Sequence, residues 1–140
     1  MGYKTPIRLA LSFNSVVTAA FVDSTEYFSS GLDTSWNTTE SVKRLYPRLS
    51  GRIVGAVVQT YSVTAAGTAE DWPMAIRLNN TTDYAISTQS VSAATRNWYN
   101  MNLNIPITLT DFISIKTTTP AWVTNPADTY TNFILYIELE

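Results

Sequence analysis

The sequence predicts an all-β fold, a single-domain β-sandwich of the jelly-roll kind, and three observations carry that expectation. Apolar and polar residues alternate with period two in short runs separated by turn chemistry, at about eight places along the chain. Threonine (21), serine (13) and asparagine (10) supply 44 of the 140 residues, and charged residues only 14%. Thr fits a pleated, half-exposed surface while Ser and Asn fit turns, so the outer faces should be polar and neutral. Helical spacing of apolar residues is almost absent, which leaves strands packed on strands as the way to form a core. A chain of this length fits one domain, residues 1–140, burying roughly 68–70% of its unfolded surface.

The elements follow in order. Ile7, Leu9, Leu11 and Phe13 alternate with Arg8, Ala10 and Ser12, and residues 16–22 are expected to pair with them beyond a turn at Asn14-Ser15. Residues 27–41 are polar and irregular, and 45–49, which include Pro47, should form a loop leading to Gly51. Residues 53–63 begin apolar on both faces (Ile53, Val54, Ala56, Val57, Val58) and end half-exposed, as a central strand leaving the core would. Residues 64–71 read as a loop. Met74, Ile76 and Leu78 then alternate with Ala75, Arg77 and Asn79, and Asn79-Asn80 turns the chain into a strand at 84–88.

The clearest alternation sets Met101, Leu103, Ile105, Ile107 and Leu109 against Asn102, Asn104, Pro106, Thr108 and Thr110. Pro106 has no N–H for a ladder, so it belongs at an edge, a bulge or a bend. Ile113 and Ile115 continue the pattern. Pro120 and Pro126 then stiffen the loop that presents Trp122, and all three are expected to anchor the structure. In the last strand Phe133, Leu135, Ile137 and Leu139 point one way, Ile134 and Tyr136 the other. A strand apolar on both faces needs cover on both. Ile134 and Tyr136 are therefore expected at an interface with a second layer or another subunit.

Composition removes several chemistries. With no Cys there is no disulfide, thiolate zinc site or thiol nucleophile, and with no His there is no Ser-His-Asp triad. A formal charge of −2 gives no general attraction to phosphate backbones, so nucleic acid is not an expected partner. No apolar run approaches the ~20 residues of a membrane helix, and the polar Ser12, Asn14, Ser15 and Thr18 interrupt the faintly signal-like start, which reads as mature structure. Glu70 and Asp71 are adjacent in extended chain and should point apart, which argues against an acid-base dyad or a metal site. No catalytic residue, cofactor or metal ligand is expected, and the chain reads as a non-enzyme. Trp36, Trp72, Trp98, Tyr99 and Trp122 are candidates for a sugar-stacking platform; core packing is the reading for Trp98 and Trp122, which flank strands, with a glycan role left open for Trp36 and Trp72 beside polar loops.

The stretches EDWPMAIRLNNTTDYAIS at 70–87 and TTPAWVTNPADTYTNFILYIEL at 118–139 resemble a module of tailed-phage virion proteins, with a Glu-x-Trp segment, an Arg-Leu-Asn-Asn strand end and a Pro-x-Trp-x-Thr-Asn-Pro turn. The resemblance covers roughly residues 51–138, leaving 1–50 as N-terminal strands and loops. It departs at Asn132, where the family commonly has glycine. Such modules look like the tumour-necrosis-factor or complement-C1q type of jelly roll and tend to be homotrimers. The resemblance implies a virion-surface protein that decorates or cements a capsid, with itself and the major capsid protein or another virion protein as partners. The alternative it leaves is a fibre tip that binds a host glycan or protein; the absence of a coiled-coil shaft in the chain favours decoration. On that reading the basic run Lys43, Arg44, Arg48 and Arg52 is expected to dock the acidic surface of the capsid, against the plainer reading of a solvated loop.

Overall fold

The computed structural model describes residues 6–17, 22–28, 35–63, 70–91, 94–126 and 129–140, with the side chains of 13–17 left out. It is all-β: two antiparallel sheets face each other as a β-sandwich. The strands are β1 (Arg8–Val17), β2 (Thr25–Phe28), β3 (Gly51–Ser62), β4 (Glu70–Leu78), β5 (Thr82–Val91), β6 (Thr95–Asn100), β7 (Ile105–Ile107), β8 (Ile113–Thr118) and β9 (Thr129–Leu139). Sheet A runs β1-β9-β3-β6, with the short β7 also on β3; sheet B runs β2-β8-β4-β5. The chain crosses between sheets at most of its connections, so most pairings are long-range in sequence.

Central position goes to the strands whose sequence is apolar on alternate residues with something to hide on both faces. β9 lies between β1 and β3, pairing Leu135 with Leu11 and with Ala56. Its inward residues from Thr129 to Ile137 are buried at every second position, as period two requires. A β-bulge between Ile53 and Gly55 then shifts the register of β3, so that Gly55 lies opposite Tyr136. At the β4–β5 hairpin Asn79 and Asn80 both hold positive φ, 50° and 55°, as the central pair of a turn closed by the Thr81 N–H on the Leu78 carbonyl.

The core is strongly aromatic. Trp72 is its hub: it lies edge-to-face against Trp98 (5.0 Å) and Trp122 (5.3 Å) and tilts on Trp36 at 5.8 Å. Trp36 in turn stacks on Phe28 at 5.1 Å, and Phe28 crosses the sandwich to Phe133. Indole donors find partners here, since Trp98 Nε1 donates to the Trp72 carbonyl and Trp72 Nε1 to Thr117 Oγ1. Beyond this cluster, towards the ends of β3 and β8, the interior turns polar with Glu26, Thr60, Ser62, Thr117, Thr119, Thr129 and Thr131.

Three expectations change. Asn14-Ser15 makes no turn: both residues continue β1, paired with Asn132 and Thr131, because β9 offers an uninterrupted partner. The expected partner strand at 16–22 therefore does not form at Val16 and Val17, and 18–21 lie outside the described residues. The alternation at 101–110 narrows to β7, because Pro106 and the Thr108–Asp111 turn interrupt it, while the polar segment 95–100 forms β6.

Candidate interaction surfaces

Alternation along sheet A places one set of residues in the core and the other on an outer face that no other described strand covers. Across the strands, Ala10, Tyr136 and Gly55 form one row, Ser12, Ile134, Val57 and Tyr99 the next, then Asn132, Gln59 and Asn97, then Tyr130, Tyr61 and Thr95. Met101 folds over Gly55 and fills the space a Cβ there would occupy, 2.9 Å from the Met101 sulfur. Val57, Ile134 and Tyr136 are half-buried, whereas Tyr99 is 65%, Met101 52%, Tyr61 49% and Tyr130 48% exposed. Tyr61 and Tyr130 meet at 6.3 Å. Among the described residues, charge on this face is confined to one end, where Arg8 pairs with Glu138 and Arg52 with Glu140.

The resulting surface has two aromatic areas, Tyr99 with Met101, Ile134 and Tyr136 on one side and Tyr61 with Tyr130 on the other, separated by the row of Asn132, Gln59 and Asn97. Together the three half-exposed tyrosines and Met101 present on the order of 400 Å² of side chain, divided between these two areas. Depletion of charge and enrichment in Tyr and Met mark the centre of a protein interface. Ile134 and Tyr136 lie within it, and Tyr61, Tyr99, Met101 and Tyr130 were not anticipated. Their signal was present in the strand-by-strand parity, but it needed the pairing of β6 with β3, which the polar sequence of β6 conceals.

The second candidate is the basic run, and the structure divides it. Lys43 is a correction: its side chain is 1% exposed and its ammonium donates to Ser35, because a 3-10 turn at Glu40–Val42 directs it inward. Arg44 bridges to the buried Glu40 at 3.0 Å and lies 4.3 Å over the Phe112 ring; the Glu40 contacts raise its pKa. Arg48 is exposed, 5.3 Å over Tyr46, and Arg52 is exposed beside Asn104 and Glu140. The four cations expected to act together thus reduce to Arg48 and Arg52 at the surface, with Arg44 half-covered.

The remaining sites resolve by burial. Trp36 and Trp72 are 5% and 2% exposed, so the sugar-stacking platform considered for them is corrected to core packing. Trp122 lies under its loop at 8% exposure, Pro126 is buried and Pro120 half-buried, with the Pro120 carbonyl accepting from Asp23 N–H. Glu70 turns inward and accepts the Val123 N–H at 2.9 Å; Asp71 faces out and accepts from Ser90. On sheet B, burial pushes the Asp83 carboxyl up, but donors from Lys116 (2.6 Å) and Arg77 (2.7 Å) outweigh it and hold Asp83 below its ordinary value. This triad is self-satisfied. Among the described residues, no three acidic, His or Cys side chains converge as metal ligands.

No protein-family model matches the sequence, and no curated protein matches it. Solved structures do resemble it. A chain of the cyanophage Pam1 capsid asymmetric unit superposes with a TM-score of 0.59 at 10% identity, covering 100% of this chain and 89% of that one. Dimeric latent PorU from Porphyromonas gingivalis gives 0.53 at 9% identity over 96% of this chain, which spans 13% of PorU. A Bacillus endospore appendage pilus protein gives 0.48 at 9% identity, covering 100% and 96%. At these identities the first two likenesses concern the fold alone, and they agree on an all-β sandwich.

Proposed function

We propose that this chain is a non-enzymatic structural protein of a virion surface, a jelly-roll homotrimer that decorates or cements a capsid. The observation that carries the reading is the outer face of sheet A, a charge-poor surface bearing Tyr61, Tyr99 and Tyr130 that no other described strand covers. A closed oligomer is the economical way to cover such a face while keeping the particle soluble. The strand order β1-β9-β3-β6 over β2-β8-β4-β5 is read here as a jelly-roll winding. The number three rests on the resemblance of residues 51–138 to the phage module. The likeness to a chain of the Pam1 capsid assembly, nearly end to end in both chains, supports a place on a capsid.

The mechanism is geometric. Three rigid sandwiches close on sheet A around an axis, and the loop ends, including the Arg48 end, are left to meet the particle. Stability of the shell would come from added contact area between neighbouring subunits. The glycan-binding fibre tip loses the support it drew from Trp36 and Trp72, both of which are buried. Locating the protein's density on an intact particle tests the reading: three-fold knobs on the capsid lattice are expected, and density at the end of a tail or head fibre would contradict it.

A further inference from the structure

Four side chains at the end of the sandwich that carries the 43–50 loop stack in a line. Arg44 lies over Phe112 at 4.3 Å, Phe112 against Tyr46 with centroids 5.4 Å apart, and Arg48 over Tyr46 at 5.3 Å. The inner end of this ladder is closed, because Glu40 accepts from Arg44 and is itself buried. Phe112 is held by Asn79, whose Oδ1 accepts the Phe112 N–H at 3.1 Å, whose N–H donates to the Phe112 carbonyl and whose amide donates to Asp111. The outer end is open. Arg48 reaches the Leu109 carbonyl at 3.5 Å, and among the described residues no carboxylate comes within ion-pair distance of it.

Arg48 also holds its backbone at φ 57°, in the left-handed region that a side-chain-bearing residue rarely adopts. Such strain survives only where the surroundings over-determine it, and it concentrates at binding sites. Here it keeps the guanidinium over the Tyr46 ring, with the side chain of Leu109 57% exposed alongside.

We propose that this ladder is a docking site for an acidic patch on a partner protein, with Arg48 taking a carboxylate while Tyr46 and Leu109 cover the apolar surface around it. A planar fork of donors matches a carboxylate in two-point contact, and ring stacking fixes the plane of the fork beforehand. Arg and Tyr are also the residue types that dominate binding energy at protein interfaces. A nucleic acid is a poorer fit, since it asks for several free cations in a stripe, while Arg44 and Arg52 are paired with Glu40 and Glu140 and Asp111 is near. The inference rests on the virion reading only for where the partner protein sits.

The experiment is a titration of nitrogen-15-labelled protein with a hexaglutamate peptide, following the Arg48 Nε–Hε resonance and the amides of 44–46, 48 and 109–112. Saturable shifts centred on Arg48 and Tyr46 are expected, and Arg48→Gln should weaken them by about tenfold or more, the scale of a charge-assisted contact. Arg48→Gly should lose them equally while its unfolding midpoint stays at or above the parent's, because glycine relieves the backbone strain. The proposal is overturned if Arg48→Gln titrates like the parent, if the peptide leaves Arg48 unmoved, or if duplex DNA or N-acetylneuraminic acid shifts the same resonances at lower concentration. A normal titration combined with absence of the protein from capsids would count against the virion reading alone.

Discussion

Glu26 is the residue most at odds with its surroundings. It lies on β2 facing the other sheet, fully buried, with Oε1 accepting from Ser24 and Oε2 lacking a hydrogen-bond partner among the described residues. Burial raises its pKa above the ordinary 4.5, and the Ser24 hydrogen bond opposes this only in part. A carboxyl with a raised folded-state pKa gives its full stability below 4.5 and loses it as pH rises through the folded value. Glu26→Gln should therefore raise the melting temperature at neutral pH and leave it nearly unchanged at pH about 4, where both side chains are neutral. Thermal melts of the two proteins across that range check this; equal melting temperatures at pH 7 would contradict it. Trp122 gives a second expectation at this scale. Removing it opens a hole beside Trp72, so Trp122→Ala should cost ~3–5 kcal/mol in a denaturant titration. Neither the inward turn of Lys43 nor the burial of Glu26 was legible in the sequence, because both depend on which side of a short irregular segment meets the opposite sheet.

The elements themselves were legible in proportion to how much of their environment their own residues state. β9 was read strand and face together, since its apolar residues occupy both parities and only a central strand explains that. β3 and the Asn79-Asn80 hairpin were read for similarly local reasons. β6 was not: residues 95–100 carry one large apolar side chain facing inward, Trp98, and its place is set by pairing with β3. Tertiary pairing likewise overrode the turn propensity of Asn14-Ser15. Two glycines of β3 separate backbone from side-chain constraint. At Gly51, with φ 155°, a Cβ would sit 2.1 Å from the Glu138 carbonyl oxygen of β9, so Gly51→Ala should cost about 3 kcal/mol or more. At Gly55 a Cβ presses on the flexible end of Met101 and merely touches the Tyr136 ring at 3.4 Å, and Gly55→Ala should cost about 1 kcal/mol. Urea unfolding of the two variants measures the contrast, and equal losses would show that the β3–β9 approach is looser than described.

At the scale of the whole molecule, one broad face of sheet A has no strand packed on it among the described residues. The sequence pointed to that face through Ile134 and Tyr136, but its extent appears only when β1, β9, β3 and β6 lie side by side. Three copies are expected to close on it. Tyr99, 65% exposed on the edge strand β6 of this face, makes no core contact that a substitution would sacrifice, so Tyr99→Glu should separate the subunits without unfolding them. The most direct measurement is multi-angle light scattering of the purified protein at micromolar concentration, alongside Tyr99→Glu. Three times the 15.6 kDa chain mass is expected for the parent and a single chain for the variant. A folded parent that scatters as one chain would contradict it.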